Sequence, residues 1–251
     1  LESNEAARAR DYLAGRGLRE ETLRAFQVGY ARESWQALGD HLRAQGWREA
    51  DLLAAGLQIE REGGGGAYDR FRGRIVFPIR DARGHVCGFG GRVLDDSLPK
   101  YVNSPQTPVF DKGAVLYGID LAREAIRRTE TAVLVEGYMD VLMAHQAGFT
   151  NVVGAMGTAL SPEQMAVLKP MIKRLVLALD PDTAGDRATL RGLEVAKESL
   201  AQRVVPVPTP RGLIHYETEL GAELRILSLP DGRDPDQVIR ADPAAWERLV
   251  N

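Results

Sequence analysis

The stretch VLVEGYMDV, residues 133–141, joins a short apolar run to two carboxylates. Its opening residues predict a buried strand, and the glycine after Glu136 predicts a turn into a helix that carries Asp140. Strand–turn–helix steps of this kind build parallel sheets that are covered by helices. The stretch therefore predicts an α/β fold with acidic groups at the point where a strand ends.

The rest of the C-terminal half continues this alternation. Strands are predicted at AVLVE, NVVGAM, RLVLALD and ELRILSLP, and helices near 139–148, 161–172 and 184–200. Near-continuous apolar strands joined by helices indicate a mainly parallel sheet with both faces covered. We assign this α/β subdomain to residues 129–251, and we expect the long segment 202–224 to add a hairpin before the last strand.

Residues 1–128 have a different pattern. Residues 5–60 predict helices, and the glycine run within 61–69 predicts a flexible break. Residues 74–94 alternate around a short turn, which is the signal of a β-hairpin. The predicted fold class is therefore an α+β N-terminal subdomain, made of helices plus a β-hairpin, joined to an α/β subdomain.

Composition excludes several classes of protein. The 251 residues are 44% hydrophobic and 27% charged, with a net charge of −3, which is ordinary for a globular protein. No apolar run is long enough for a membrane helix, so we expect no membrane partner. Cys87 is the single cysteine, which excludes internal disulfides and a cysteine-built zinc site and fits a cytoplasmic location. The histidines have no ligand spacing, so any metal must be held by oxygen.

Carboxylates follow three of the four predicted strands. They are Glu136 and Asp140 after the first strand, Asp180 and Asp182 after the third, and Asp234 and Asp236 after the fourth. Parallel strands end at one edge of a sheet, and two carboxylates ~4 Å apart repel by roughly 4 kcal/mol at an effective dielectric constant near 20. Oxygen-only ligands suit Mg²⁺ or Mn²⁺, and paired divalent ions suit phosphoryl transfer. Helix capping remains an alternative for Asp140 and Asp182, as does a turn before a helix for Asp234 and Asp236.

These motifs carry a resemblance to a known family. VEGYMDV, MGTALSPEQ, LDPDTAGDRA and LPDGRDPD resemble the Toprim catalytic fold. The upstream blocks YDRFRGRIVFPIRDARGHVCGFGGRVL, PKYVNSP and FDKGAVLYG resemble the RNA-polymerase core of bacterial DnaG-type primases. Topoisomerases and some nucleases share the glutamate and the Asp-x-Asp pair, so it is the upstream blocks that favour a primase.

The resemblance implies a DNA-directed RNA polymerase that synthesises short RNA primers for replication. It implies catalytic roles for Glu136, Asp140, Asp180 and Asp182, and two or three Mg²⁺ or Mn²⁺ ions held by Glu136, Asp180, Asp182, Asp234 and Asp236. It implies binding of template and nucleotide by Arg16, Arg92, Lys100, Asn103 and Lys112. Whether Glu136 is a metal ligand or a proton-transfer group stays open.

The implied partners are a single-stranded DNA template, ribonucleoside triphosphates and an RNA primer. We expect the replicative helicase to be bound through a domain absent from this chain, and the zinc module of the family to be absent as well. A Toprim topoisomerase is one competing interpretation, but it needs a tyrosine nucleophile on a DNA-gripping domain, and no such domain is recognisable. A non-catalytic module that binds single-stranded DNA is the other, and the intact acidic set argues against it.

Overall fold

The computed structural model contains two units, Leu1–Asp120 and Leu121–Asn251. It describes residues 1–95, 97–157, 159–178, 187–208, 214–227, 229 and 232–251. The units adjoin within helix α5, Ile119–Thr129, whereas the subdomain boundary predicted from the sequence, 128–129, lies at the end of that helix. None of the helices among the described residues is long and apolar enough to cross a membrane.

The first unit begins with helices and short strands. Its helices are α1 (Ala7–Gly15), α2 (Glu20–Ala25), α3 (Ala37–Ala44) and α4 (Glu49–Ala54). The prediction of helix throughout residues 5–60 is wrong at Gly29–Ala31, which form β1, and at Gln58–Glu60, which form β2. Both strands are three residues long, too short to show a clear period, and β1 also depends on pairing with a strand about 45 residues away.

The glycine run forms the turn of a β-hairpin, so the predicted break in regular structure lies between two short paired strands. Strand β2 pairs with β3 (Ala67–Asp69), and the Arg61 N–H donates a hydrogen bond to the Gly66 carbonyl at 3.0 Å. Each glycine from Gly63 to Gly66 has a positive φ. Glycine adopts this left-handed region without the penalty that a side chain brings, so four glycines in sequence can form a turn.

A four-stranded antiparallel sheet forms the middle of the first unit. The strand order is β1-β4-β5-β6, with β4 at Arg74–Arg80, β5 at Val86–Val93 and β6 at Tyr101–Asn103. Pairing of β4 with β5 confirms the predicted hairpin. Alternate residues of β4, namely Ile75, Phe77 and Ile79, are fully buried, and the ring of Tyr117 packs edge-on against Phe77. One face of this sheet thus covers the core of the unit.

The second unit is an α/β fold. Its parallel sheet has the order β12-β9-β7-β8, formed by β7 (Thr131–Val135), β8 (Val152–Gly154), β9 (Arg174–Leu177) and β12 (Glu223–Ile226). The helices are α6 (Tyr138–Gln146), α7 (Pro162–Leu168), α8 (Arg187–Leu200), α9 (Pro235–Ala241) and α10 (Pro243–Val250). Consecutive residues such as Val133, Leu134 and Val135 are buried, as expected for a sheet that is covered on both faces. The predicted fold class is confirmed.

The segment 202–224 contains the predicted extra hairpin. Strands β10 (Ala201–Pro208) and β11 (Ile214–Leu220) pair antiparallel between α8 and β12. The Gly221 N–H donates to the Leu200 carbonyl at 2.7 Å and closes the base of the hairpin. Because the hairpin enters β12 at its amino end, it is attached to the edge of the sheet opposite the carboxyl ends of the strands.

Candidate active site and nucleic-acid interface

Glu136 occupies the turn that leads from β7 into α6, where it is half-buried. A Cβ atom on Gly137 would lie 2.8 Å from Asp140 Oδ2, so a larger residue in this turn would displace the Asp140 carboxylate. The Glu136 backbone carbonyl accepts a hydrogen bond from the Gly157 N–H at 3.3 Å, which joins the loop after β8 to the same turn. In that loop Met156 has a φ of 59°. Side chains seldom adopt this left-handed region, and such backbone strain clusters at functional sites.

Asp140 connects the N-termini of two helices. Its Oδ2 accepts the Gly137 N–H at 3.1 Å, and its Oδ1 accepts the Asp236 N–H at 3.1 Å. The first bond is the helix cap that the sequence left open as an alternative. The second bond joins residues 96 positions apart and is invisible to local pattern. Asp140 thus positions the start of α9 against the start of α6, while its direct role in catalysis stays a prediction.

Asp234 and Asp236 lie on either side of Pro235 at the start of α9. Asp234 is the residue before the helix, and its side chain makes no capping hydrogen bond there. Asp236 lies in the first turn and is only 4% exposed. The backbone therefore forms the turn before a helix that the sequence allowed. Burial of a carboxylate is unfavourable unless hydrogen bonds or a cation compensate for it, so Asp236 also fits a ligand role.

The Asp-x-Asp pair, Asp180 and Asp182, lies outside the described residues. Among the residues that the structure does describe, no three acidic, histidine or cysteine side chains form a group that could hold a metal ion. The donor chemistry can still be tested, because Glu136, Asp234 and Asp236 offer carboxylate oxygens alone. Such a set fits a hard divalent cation such as Mg²⁺ or Mn²⁺. The metal-binding role of all five predicted ligands stays a prediction.

Arg92 is the most enclosed of the predicted cationic residues, with 9% of its surface exposed. It lies on β5 directly opposite Tyr101 of β6, and its Nη1 donates a hydrogen bond to the Tyr101 hydroxyl at 2.7 Å. The guanidinium carbon is 4.8 Å from the ring centroid of Tyr12 and 5.1 Å from that of Tyr101. The two rings hold Arg92 by cation–π contacts as well as by the hydrogen bond.

Two further residues predicted to bind template or nucleotide, Asn103 and Arg16, lie on or directly after the elements that carry Tyr101 and Tyr12. Asn103 is two residues after Tyr101 on β6, and alternation along a strand puts both on one face of the sheet. Arg16 directly follows α1, four residues after Tyr12, which puts it on the same side of that helix. Asn103 lies opposite Gly90 on β5, two residues from Arg92 along that strand, and a joint role for Arg16, Arg92 and Asn103 stays a prediction.

The two predicted lysines lie in the surrounding loops. Lys100 immediately precedes β6 and is exposed. Lys112 is half-buried, and this burial lowers the pKa of its ammonium group. The roles of both lysines in binding rest on the family resemblance.

A second cationic group in the first unit was missed by the sequence reasoning. It lines a cleft of about 470 Å³, in which Arg70, Arg72 and Arg74 lie near Trp35 and Tyr68. The guanidinium carbon of Arg72 is 4.2 Å from the centroid of Trp35 and 4.9 Å from that of Tyr68. Trp35 is 56% exposed, which is unusual for so large an apolar side chain. Arginines beside exposed aromatic rings are typical of surfaces that bind single-stranded nucleic acid.

The charge of this cleft is only partly compensated. Burial lowers the pKa of Arg70, and burial together with the charge of Arg72 lowers the pKa of Arg74. Both shifts mean that a nearby anion would stabilise the charged forms. The signal was present in the sequence as arginines at alternate positions 70, 72 and 74. The aromatic partners could not be identified, because Trp35 lies far from them along the chain.

Models of known families match both units. The model of the DNA primase catalytic core, N-terminal domain, matches residues 1–123, and a Toprim domain model matches residues 130–206. The DNA primase of Clostridium acetobutylicum is 40% identical over 251 residues, which are 100% of this chain and 38% of that protein. The structure of a DnaG primase catalytic domain bound to ssDNA is 35% identical with a TM-score of 0.82, covering 99% of this chain and 72% of that one. This chain belongs to the DnaG primase family.

A second solved primase structure supports the same assignment. The RNA polymerase domain of Mycobacterium tuberculosis primase DnaG is 34% identical with a TM-score of 0.81, covering 100% of this chain and 77% of that one. The resemblance noted from the sequence motifs is therefore confirmed. The chain spans 38% of the length of the Clostridium acetobutylicum primase that it matches. Membership of the DnaG family assigns no role to an individual residue, so the roles of the site residues stay predictions.

Proposed function

We propose that this chain is the DNA-directed RNA polymerase core of a bacterial primase, which synthesises short RNA primers on single-stranded DNA. The observation that carries the proposal is the acidic end of β7, where Asp140, four residues after Glu136, accepts a hydrogen bond from the start of α9, in a chain of the DnaG family. The first unit supports it with a buried guanidinium and an arginine-lined cleft. The reaction is the transfer of a nucleotidyl group to a primer 3′-hydroxyl, with release of pyrophosphate.

The carboxylates would hold two or three Mg²⁺ or Mn²⁺ ions, in keeping with the general dependence of Toprim primases on divalent metal. The proposed ligands are Glu136, Asp180, Asp182, Asp234 and Asp236. When bound, the metals would lower the pKa of the primer 3′-hydroxyl and neutralise charge on the leaving pyrophosphate. Asp140 would hold the turn after β7 next to the start of α9, because its carboxylate accepts the N–H groups of Gly137 and Asp236. Glu136 would act either as a further ligand or as the group that accepts a proton.

The first unit would bind the phosphates. Arg92 presents a planar guanidinium, whose geometry suits phosphate oxygens, and we assign it to the triphosphate of the incoming nucleotide. Lys100, Lys112, Arg16 and Asn103 would add contacts to template and nucleotide. Contacts of this kind fix position without reading the base, so we expect little sequence preference from them.

The proposed partners are a single-stranded DNA template, ribonucleoside triphosphates and a growing RNA primer. One solved relative has its catalytic domain bound to ssDNA, which supports the first of these for this chain. The cleft beside Trp35 and Tyr68 is the surface that we assign to the template, because its rings can stack on unpaired bases. We propose that the replicative helicase is bound through a separate domain of the primase.

The proposal is tested by extension of an RNA primer annealed to a single-stranded DNA template. The full chain is incubated with labelled ribonucleotides and Mg²⁺ or Mn²⁺, and a matched sample contains a chelator. We expect extension that depends strictly on the metal. A non-catalytic module would bind the template, as measured by anisotropy of a labelled strand, and would incorporate nothing. Template binding without incorporation in either metal would therefore overturn the polymerase assignment.

A further inference from the structure

The neighbourhood of Arg92 is unusual for a buried charge. The side chain is 9% exposed, yet no carboxylate lies within ion-pair distance of it among the described residues. Its Nε is also buried without a hydrogen-bond partner in that part of the chain. A buried cation that lacks a counter-charge is destabilising, so other groups must compensate for it or an anion must arrive.

Two tyrosines provide the compensation within the chain. Tyr101 faces Arg92 across the β5–β6 pair and accepts the Nη1 hydrogen bond with its hydroxyl. Tyr12 approaches from α1 with its ring centroid 4.8 Å from the guanidinium carbon. The Tyr12 hydroxyl is buried and has no hydrogen-bond partner among the described residues. The two residues thus use different means, since Tyr101 offers a ring and a hydrogen bond while Tyr12 offers a ring.

This arrangement leaves the positive charge uncancelled. A carboxylate would fix the guanidinium but would also neutralise it, whereas aromatic rings fix its plane and keep its full charge. With Nη1 bonded to Tyr101, the direction of the remaining N–H groups is set before any ligand binds. Prior fixation of a binding group reduces the entropy that is lost on association.

We infer that Tyr101 and Tyr12 are positioning residues, which hold the Arg92 guanidinium in the orientation that binds the triphosphate of the incoming nucleotide. Tyr101 acts through its hydroxyl and its ring, and Tyr12 acts through its ring. The inference rests on the proposed function, because it assumes that Arg92 binds nucleotide. It adds two residues to the site that have no charge of their own.

The test measures KM for the ribonucleotide and kcat separately in the primed-template assay. Tyr101→Phe keeps the ring and removes the hydrogen bond, so KM should rise by about tenfold with little change in kcat. Tyr12→Leu removes a ring and should also raise KM. Tyr12→Phe removes only a hydroxyl without a partner, so it should raise KM less than Tyr101→Phe does. Thermal unfolding of each variant establishes that the assay temperature is below its transition.

The same substitution made in an Arg92→Lys protein shows whether Tyr101 acts through Arg92 or through a general effect on the fold. In Arg92→Lys the planar guanidinium is replaced by a point charge, so Tyr101→Phe added to it should change KM by less than about twofold. An equal rise of KM in both backgrounds would show that Tyr101 acts independently of Arg92, and the inference would fail. An unchanged KM for Tyr101→Phe in the native background would have the same consequence.

Direct binding keeps this inference distinct from the proposed function. The full chain is titrated with inorganic tripolyphosphate in a calorimeter, without template or primer. Tyr101→Phe should weaken binding by about the same factor as it raises KM, and Arg92→Lys should weaken it further. If the native chain binds tripolyphosphate more tightly than Tyr101→Phe does but extends no primer, the polymerase assignment fails and the positioning role of Tyr101 stands. If Tyr101→Phe binds tripolyphosphate as tightly as the native chain, Tyr101 does not position Arg92, whether or not the chain polymerises.

Discussion

The two units hold their buried charges in different ways. In the second unit, the Asp140 carboxylate is fixed by backbone N–H groups of Gly137 and Asp236. In the first unit, Arg92 is fixed by the rings of Tyr12 and Tyr101, with no carboxylate within ion-pair distance among the described residues. Dipoles and rings fix an ion while leaving its net charge available to a ligand, which an ion pair would cancel.

The surface of the molecule shows the contrasting case. Arg48 and Asp51 are exposed partners at 2.8 Å, and their hydrogen bonds raise the pKa of the arginine and lower that of the aspartate. Exposed pairs of this kind contribute little to stability, because solvent screens them. They also offer no net charge to a substrate. Charges fixed by dipoles or rings therefore keep a net charge that a ligand can use, whereas charges in exposed ion pairs do not.

The largest effect is expected when one charge of the Asp-x-Asp pair, Asp180 and Asp182, is neutralised, because both are predicted metal ligands. We expect Asp180→Asn or Asp182→Asn to reduce primer extension by roughly a thousandfold or more, since a metal ion supplies several kcal/mol of transition-state stabilisation. In chelator, each variant should be at least as stable as the native chain, because loss of one charge relieves repulsion between carboxylates. Extension assays and denaturant titration measure the two effects. Extension at the native rate by either variant would show that the pair holds no catalytic metal.

Substitution of Asp140 should lower stability, whereas substitution of Asp180 or Asp182 should not. Asp140→Asn replaces an oxygen that accepts a backbone N–H with an amide group that cannot accept it, and one buried donor is left unpaired. We expect the free energy of unfolding in metal-free buffer to fall by about 1–3 kcal/mol. A rise in stability, as expected for Asp180→Asn, would assign Asp140 to the repelling cluster instead.

Asp69 provides a matched control in the first unit. It is also buried, and it accepts the N–H groups of Leu38 at 2.7 Å and Gly39 at 3.0 Å. Asp69→Asn should lower the free energy of unfolding by a similar amount, about 1–3 kcal/mol. It should leave the metal dependence of primer extension unchanged. Equal loss of metal dependence in both variants would mean that the assay reports stability rather than the site.

The sequence predicted the parts of the fold that depend on local pattern. The strand that ends at Val135 is a run of buried apolar residues followed by a glycine turn, and both signals lie within a few positions of each other. The hairpin within residues 202–224 was expected for a different reason, because this segment is longer than the corresponding link in the family that the motifs resemble. Strand β1 was missed because three residues carry no clear period, and their pairing with β4 joins positions about 45 residues apart.

The candidate site was predicted as a set of residue types and not as a set of contacts. Carboxylates at strand ends follow from the geometry of parallel sheets, so Glu136 was found from its position alone. The bond between Asp140 and Asp236 and the stacking of Arg92 on Tyr12 join distant parts of the chain. No local signal encodes them. In particular, nothing in the sequence around Tyr12 indicates that its ring contacts Arg92.

A smaller effect is expected from substitution of Lys100 and Lys112. These variants test whether cationic residues other than Arg92 also bind phosphates. Lys100→Ala and Lys112→Ala should each flatten the dependence of template binding on salt, by roughly 0.7 in log–log slope for each phosphate that the variant no longer binds. Because burial lowers the pKa of Lys112, its contribution should disappear at a lower pH than that of a fully solvated lysine. Lys197, exposed on α8, provides the control, and Lys197→Ala should leave the slope unchanged. Unchanged slopes for both Lys100→Ala and Lys112→Ala would show that neither lysine contacts a template phosphate.

The smallest effect concerns His145, a half-buried basic group that loses its charge more readily than a solvated histidine. Burial lowers its pKa from the ordinary value of 6.5, and the hydrogen bond to the Val152 carbonyl at 2.9 Å opposes this only in part. As the pH falls below 6.5, the unfolded chain therefore binds a proton that the folded chain does not. The contribution of His145 to stability is present in full above that pH and is lost progressively below it.

Denaturant titrations of the native chain and of His145→Gln between about pH 5 and pH 8 measure this contribution, because the histidine side chain titrates within that range. Glutamine can still donate to the Val152 carbonyl but takes up no proton. The other titrating groups are common to both proteins, so their effects cancel in the difference between the two unfolding free energies. That difference should shift in favour of His145→Gln as the pH falls. A difference that is flat or shifts the other way would mean that the folded chain accommodates a charged histidine, and that burial in the second unit tolerates a cation as burial in the first unit tolerates Arg92.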